Sequence, residues 1–159
     1  MGTQDAESVV AFDQAVRTIV GFTGTREGMT EAQKATVLKI LRHYGAVEAH
    51  HGDCVGADAD FDKLARQVDA VVIVHPPEDS RLRAYCETAV VYPERPYLDR
   101  NRDIADLCEL LIATPKESSH KHKGGTWYTI NYARSQNRGV IIVWPSGSTH
   151  TDGGDDHGA

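Results

Sequence analysis

Short apolar, β-branched runs separated by helix-length segments constrain this chain more than any other feature. Thr18–Thr23 (TIVGFT) ends in Gly24, Ala70–Val74 (AVVIV) is stopped by Pro76 and Pro77, and Val140–Trp144 (VIIVW) follows a break at Gly139. Ala46–His51 before Gly52, Thr88–Tyr92 before Pro93, and Leu110–Ala113 are further strand candidates. Runs of four to eight apolar residues bounded by turn signals read as buried strands. Helical patterns fill the gaps. Thr30 with Gln33 three residues later forms a capping signal, and Ala32, Ala35, Val37, Leu38 and Leu41 offer a buried face. Helices are expected at about 57–67, 97–106 and 126–136. Continuous apolar strands joined by helices predict a parallel sheet covered on both faces, an α/β, Rossmann-like, doubly wound architecture.

The remaining bounds are broad. With 159 residues the chain is one domain's length. Residues 1–16 read as a weakly structured leader, 17–145 as the domain, and 146–159, rich in Gly and Asp, as a disordered acidic tail. A net charge of -6 argues against a protein that coats nucleic acid. No apolar run approaches the ~20 residues of a membrane span, and the polar start is no signal peptide. Cys54, Cys86 and Cys108 are odd in number and widely spaced, which fits a reducing, cytoplasmic setting.

In doubly wound sheets ligands sit at the carboxyl ends of the strands. Gly24-Thr25-Arg26-Glu27-Gly28 follows the first strand, and Gly52-Asp53-Cys54-Val55-Gly56-Ala57-Asp58 follows the second. Gly124-Gly125-Thr126 opens the helix that precedes the last strand. Glycine permits close backbone approach and helix N-termini bind anions, so phosphate is the natural occupant; turn residues alone are the plainer explanation for any single loop. The sequence has no dinucleotide GxGxxG fingerprint and no Walker A loop. Arg100, Asn101 and Arg102 cluster near a helix start, suited either to phosphate or to surface ion pairs with Asp99 and Asp103.

Together GFTGTR (Gly21–Arg26), HGDCVGAD (His51–Asp58), YLDRNRDI (Tyr97–Ile104) and GGTWYTINYAR (Gly124–Arg134) resemble the SLOG superfamily. That group of Rossmann-like nucleotide-binding domains includes the LOG phosphoribohydrolases and DprA, and the match is nearest its small single-domain branch. The resemblance spans about 18–144. It implies a nucleotide-like small molecule as partner and a homo-oligomer, a dimer, with no cofactor. LOG enzymes cleave the N-glycosidic bond of nucleoside 5'-monophosphates and carry PGGxGTxxE. Here Lys123 replaces the Pro, and the Glu falls on Asn131 or on Thr129, depending on which glycine is aligned. The upstream Arg of that family corresponds to Arg102 or Arg100.

A missing carboxylate removes charge stabilisation at the ribose, worth about 10²–10³ in rate for one such contact. Asp58, Asp53 or Glu27 are possible substitutes at the same edge, and Asp58 with Arg102 is the expected catalytic pair if the chain is an enzyme. The expectation is therefore a nucleotide-binding module first, a phosphoribohydrolase second and a DprA-like single-stranded DNA binder last. The site is predicted to comprise Gly24, Thr25, Arg26, Gly52, Asp53, Gly56, Ala57, Asp58, Arg100, Asn101, Arg102, Gly124, Gly125, Thr126 and Thr129. His120-Lys121-His122 lacks metal-ligand spacing and reads as a mobile loop, so no metal is expected. Cys54 reads as a small packing residue rather than a nucleophile with His51 as base. Trp127 and Tyr128 could stack on a base or pack at an interface.

Overall fold

A computed structural model describes residues 17–152. The leader expectation for 1–16 lies outside them, as does the acidic tail from 153. Seven strands form one sheet: β1 (Thr18–Gly24), β2 (Ala46–His51), β3 (Val71–Val74), β4 (Val90–Val91), β5 (Leu110–Thr114), β6 (Gly139–Val143) and β7 (Thr149–Asp152). The helices are α1 (Glu31–His43), α2 (Ala57–Gln67), α3 (Tyr97–Leu107) and α4 (Gly125–Ser135). The strand order is β4-β3-β2-β1-β5-β6-β7, parallel except for β7. This is the mostly parallel α/β sheet expected of a Rossmann-like fold.

Strand alternation divides the core. Leu110 and Ile112 of β5, with Ile141 and Val143 of β6, join the cluster under α1 and α2. Leu111, Ala113, Val140 and Ile142 point the other way, under α3 and α4. Period-two alternation with both phases apolar is the mark of a sheet buried on two faces. Phe22 of β1 stacks on Phe61 of α2 at 4.4 Å, a pairing worth about 0.5–1.5 kcal/mol beyond its buried area.

The capping box forms as expected: Gln33 N donates to Thr30 Oγ1 at 3.0 Å and Thr30 N to Gln33 Oε1 at 2.9 Å. The buried face of α1 differs. Ala32 and Ala35 are exposed, whereas Gln33 is buried. Its Nε2 donates to the carbonyls of Pro115 and Val143, so an amide ties α1 to the ends of β5 and β6. In α3, Leu107 is exposed and Arg100 and Asn101 are buried instead.

Two strand expectations change. Thr88–Tyr92 shrinks to Val90–Val91, because Thr88 turns its hydroxyl onto Val72 O and Pro93 has no N–H to extend the edge. Conversely, Thr149–Asp152, expected within the disordered tail, pairs antiparallel with β6. A turn with Gly147 at φ +89° reverses the chain, and Arg134 Nε holds Asp152 at 2.5 Å. No helix among the described residues is long and apolar enough to cross a membrane.

Candidate functional site

From β1 the chain steps outward through β2 to β4, then returns to place β5 on the other side of β1. The strand order reverses between β1 and β5, and such a reversal opens a crevice at the carboxyl ends. Gly24 stands there in register with Thr114.

The two helix N-termini at this edge are used differently. At α2, Ala57 N donates to Thr25 O at 2.9 Å, so the β1 loop itself caps the helix. Gly56 has φ +95°, and a Cβ there would overlap the Arg26 carbonyl, so the glycine serves this internal contact. At α4, the N–H groups of Gly125, Thr126 and Trp127 have no partner among the described residues. Thr126 Oγ1 anchors the helix start to Gly24 O at 3.0 Å. This open N-terminus borders a cleft of about 330 Å³. Arg26, Lys116 and Lys123 bring three cations to it, against the two carboxylates of Glu27 and Glu117. Glu27 lies 3.4 Å from Lys116, and Glu117 accepts from Trp127 Nε1 at 3.0 Å.

Behind the cleft lies a chamber of about 30 Å³, water-sized, lined by Thr25, Cys54, Asp58, Tyr97, Arg100 and Asn101 among others. Arg100 is 3% exposed. Its Nη1 donates to the carbonyls of Gly52 (2.5 Å) and His75 (3.2 Å), its Nη groups approach Cys54 Sγ, and its Nε has no partner. Asn101 is 6% exposed and makes no side-chain hydrogen bond to a described residue. Thr25 Oγ1 is also buried without a partner. Asp58 accepts from Cys54 N at 3.1 Å; burial pushes its carboxyl above the usual range, while nearby His51 and the Arg100 guanidinium oppose that shift. Burial likewise raises the Cys54 thiol, which fits packing rather than nucleophilic attack.

The structure thus brings Gly24, Thr25, Arg26, Asp58, Arg100, Asn101, Gly124, Gly125 and Thr126 to one crevice. Arg102 is not there: it faces outward, donating to Tyr128 Oη at 2.5 Å and lying over the Tyr128 and Tyr132 rings. Thr129 is buried in α4 with its hydroxyl on Gly125 O, and Asn131 is exposed and held by Arg134. Neither residue in register with the LOG Glu faces the cleft. Asp53 points away, accepting from Arg83 Nε and Cys86 N at 2.9 Å each. Gly52 and Gly56 give close approach to Arg100 and Arg26, and the N–H of Ala57 is spent on the β1 loop.

The histidines are occupied too. His51 Nδ1 accepts from Asp53 N, so its proton sits on Nε2 and is donated to Asp62 Oδ1; it is not a base for Cys54. His51, Asp62 and Cys86 cluster within 4.8 Å, but the donor chemistry does not suit a metal ion. A metal on Nε2 would need the proton on Nδ1, against the Asp53 N–H; Asp62 already holds Arg66; and the Cys86 thiol is pushed up to about 12 by burial. His120, expected on a mobile loop, packs against Trp127, Trp144 and His150. Trp127 is buried in the core.

Tyr97, Lys116 and Glu117 were not expected in the site. Their only sequence signal is position: Tyr97 begins α3, and Lys116 and Glu117 follow β5, the strand beside the crevice.

No family model and no curated protein matches the chain. Among solved structures, the X-ray structure of DNA processing protein A (DprA) from Streptococcus pneumoniae matches with a TM-score of 0.58 and 23% identity. The match covers 78% of this chain and 49% of that one, so this chain spans about half the length of DprA. What the likeness establishes is the fold: a Rossmann-like sheet of the kind found in DprA.

Proposed function

We propose that this protein binds a nucleotide or a nucleotide-derived phosphate compound at the β1/β5 crevice, as a sensor or binding module. The observation that carries the reading is the unpaired N-terminus of α4, facing a cleft with three cations to two carboxylates. Exposed N–H groups and the positive end of the helix dipole favour an anion there, and the cations add to that preference. Cleft and chamber together offer an anion site at one end and hydrogen-bonding side chains, Asp58, Arg100 and Asn101, at the other, the two chemistries a phosphorylated sugar presents.

Glu117 supports a second reading, N-glycosidic hydrolysis. It supplies the cleft with a carboxylate from outside the LOG signature, oriented by Trp127 Nε1. In that reaction water adds to the anomeric carbon, the C–N bond breaks with its electron pair going to the base, and the base takes up a proton. A fixed carboxylate stabilises the positive charge on the ribose ring.

Incubation with nucleoside monophosphates, ADP-ribose, NAD and a short oligodeoxynucleotide, reading melting temperature and free base together, separates these readings. A ligand at 100 times its Kd stabilises by about 2.7 kcal/mol, visible as a raised melting temperature. Stabilisation by a mononucleotide without released base supports the binding module. Base release that is lost in Glu117→Gln supports the hydrolase. No stabilisation and no product from any compound overturns both.

A further inference from the structure

Tyr97 lines both the outer cleft and the inner chamber. A Cβ added to Gly125 would overlap its Oη, so the phenol lies against the first residue of α4, beside the open N–H groups. It makes no hydrogen bond to a described residue there. Its ring is held by the Arg100 guanidinium, 5.2 Å from the centroid, and the side chain is 41% exposed. The phenol therefore stands at the entrance to the chamber with only packing and a cation–π contact to keep it in place. Behind it are two buried polar atoms without partners, Arg100 Nε and Thr25 Oγ1, and the Asn101 side chain lines the same chamber. Leaving such groups unpaired in a folded protein is costly, and a ligand that supplies the missing partners recovers that cost.

Resting on the cleft reading above, we propose that Tyr97 is a gate: its outward swing joins the α4 anion cleft to the Arg100–Asn101 chamber, and the joined site takes a phosphate monoester of a polyhydroxylated molecule, a sugar phosphate or the sugar-phosphate part of a nucleotide. The phosphate lies on the α4 N-terminus with Lys116 and Lys123. The hydroxyls enter the chamber, where Asn101 donates and accepts and Asp58 accepts. Orthophosphate meets only the outer half of this site.

Calorimetric titration of the full chain with orthophosphate and with ribose 5-phosphate tests both halves, using the wild type, Tyr97→Ala, Tyr97→Phe and Asn101→Ala. A site whose open form is about a tenth of the population binds about tenfold more weakly than its intrinsic affinity. Tyr97→Ala is expected to tighten ribose 5-phosphate by about that factor and to leave orthophosphate, which meets only the outer cleft, unchanged. Tyr97→Phe, which removes the oxygen lying on Gly125 but keeps the ring before the chamber, tightens ribose 5-phosphate less than Tyr97→Ala does. Asn101→Ala weakens ribose 5-phosphate and leaves orthophosphate unchanged. Tyr97 is exposed and Asn101 has no hydrogen bond to lose, so these variants fold, which unchanged melting temperatures check. If the wild type binds ribose 5-phosphate and neither Tyr97 variant binds it tighter, the gate is wrong and the cleft reading stands. Equal effects of Asn101→Ala on both ligands, or none on either, overturn the chamber's role. If neither ligand binds any variant, the gate falls together with the cleft reading.

Discussion

Removing the Arg100 guanidinium would leave the carbonyls of Gly52 and His75 buried without donors. Each orphaned buried acceptor costs about 1–3 kcal/mol. In a domain whose total stability is about 5–15 kcal/mol, Arg100→Ala is expected to lower the urea midpoint sharply. Arg102→Ala removes exposed contacts to Tyr128 and Tyr132 and should leave both the midpoint and ligand affinity close to where they are. A similar loss from the two variants would contradict this assignment. The difference between these arginines was already present in the α3 spacing. Arg100 and Asn101 lie four residues before Ile104 and Ala105, the apolar residues buried in α3, so all four share one helix face. Arg102 lies four before Asp106 on the opposite side. The motif at 97–104 named both arginines; only the helical phase says which one turns inward.

At the scale of elements, β2 and β3 are joined by more than their ladder. His50 of β2 meets His75, just past β3, at 2.9 Å, and Glu48 lies 2.7 Å from His50 Nε2. Both rings are buried, with Tyr92 against His75. Neutral tautomers satisfy the chain: His50 donates to Glu48 and accepts from His75. Burial, reinforced by His50, Arg100 and His51, lowers the His75 pKa to about 3; burial also lowers that of His50, against the pull of Glu48. In the unfolded chain both titrate near 6.5. Below that pH the unfolded state takes up protons that the folded state refuses. The stability from His75 is therefore fully present above pH 6.5 and is lost progressively towards pH 3, at up to about 1.4 kcal/mol per pH unit; His50 contributes in the same direction below pH 6.5. His75→Phe keeps a ring against Tyr92 and should flatten the decline in melting temperature between pH 7 and 4; an unchanged slope would place the acid sensitivity elsewhere. The alternation of strand and helix segments disclosed β2 and β3, but nothing in their pattern disclosed this pairing. It depends on the parallel register that sets His50 beside Ile73 and carries His75 past the end of β3.

At the scale of the whole molecule, the balance of charge is the ground for proposing a small ligand rather than a strand of nucleic acid. The chain carries -6 overall, and the cleft lining has one positive charge in excess. That is enough for one phosphate beside a helix N-terminus, but a strand crossing the surface would meet the field of the acidic remainder. The architecture and the edge at which the crevice opens follow from the strand pattern, because a doubly wound order leaves one place for it. The local wiring does not follow, since glycine loops of similar appearance are spent on internal contacts at α2 and left open at α4. DprA shares the fold over about half its own length, and shared fold leaves the ligand to be decided by such local differences. Salt dependence reads the distinction directly. Affinity for single-stranded DNA falls with salt at a log–log slope of about 0.7 per phosphate contacted. Binding of a nucleoside monophosphate should show a slope of about one or less, and an oligodeoxynucleotide should bind no tighter than its terminal nucleotide. A steep slope, with affinity that rises with oligonucleotide length, would show that several phosphates are engaged along a surface track. It would replace the proposed single-phosphate cleft with a DNA-binding face, and the three cations beside α4 would then be only the start of that track.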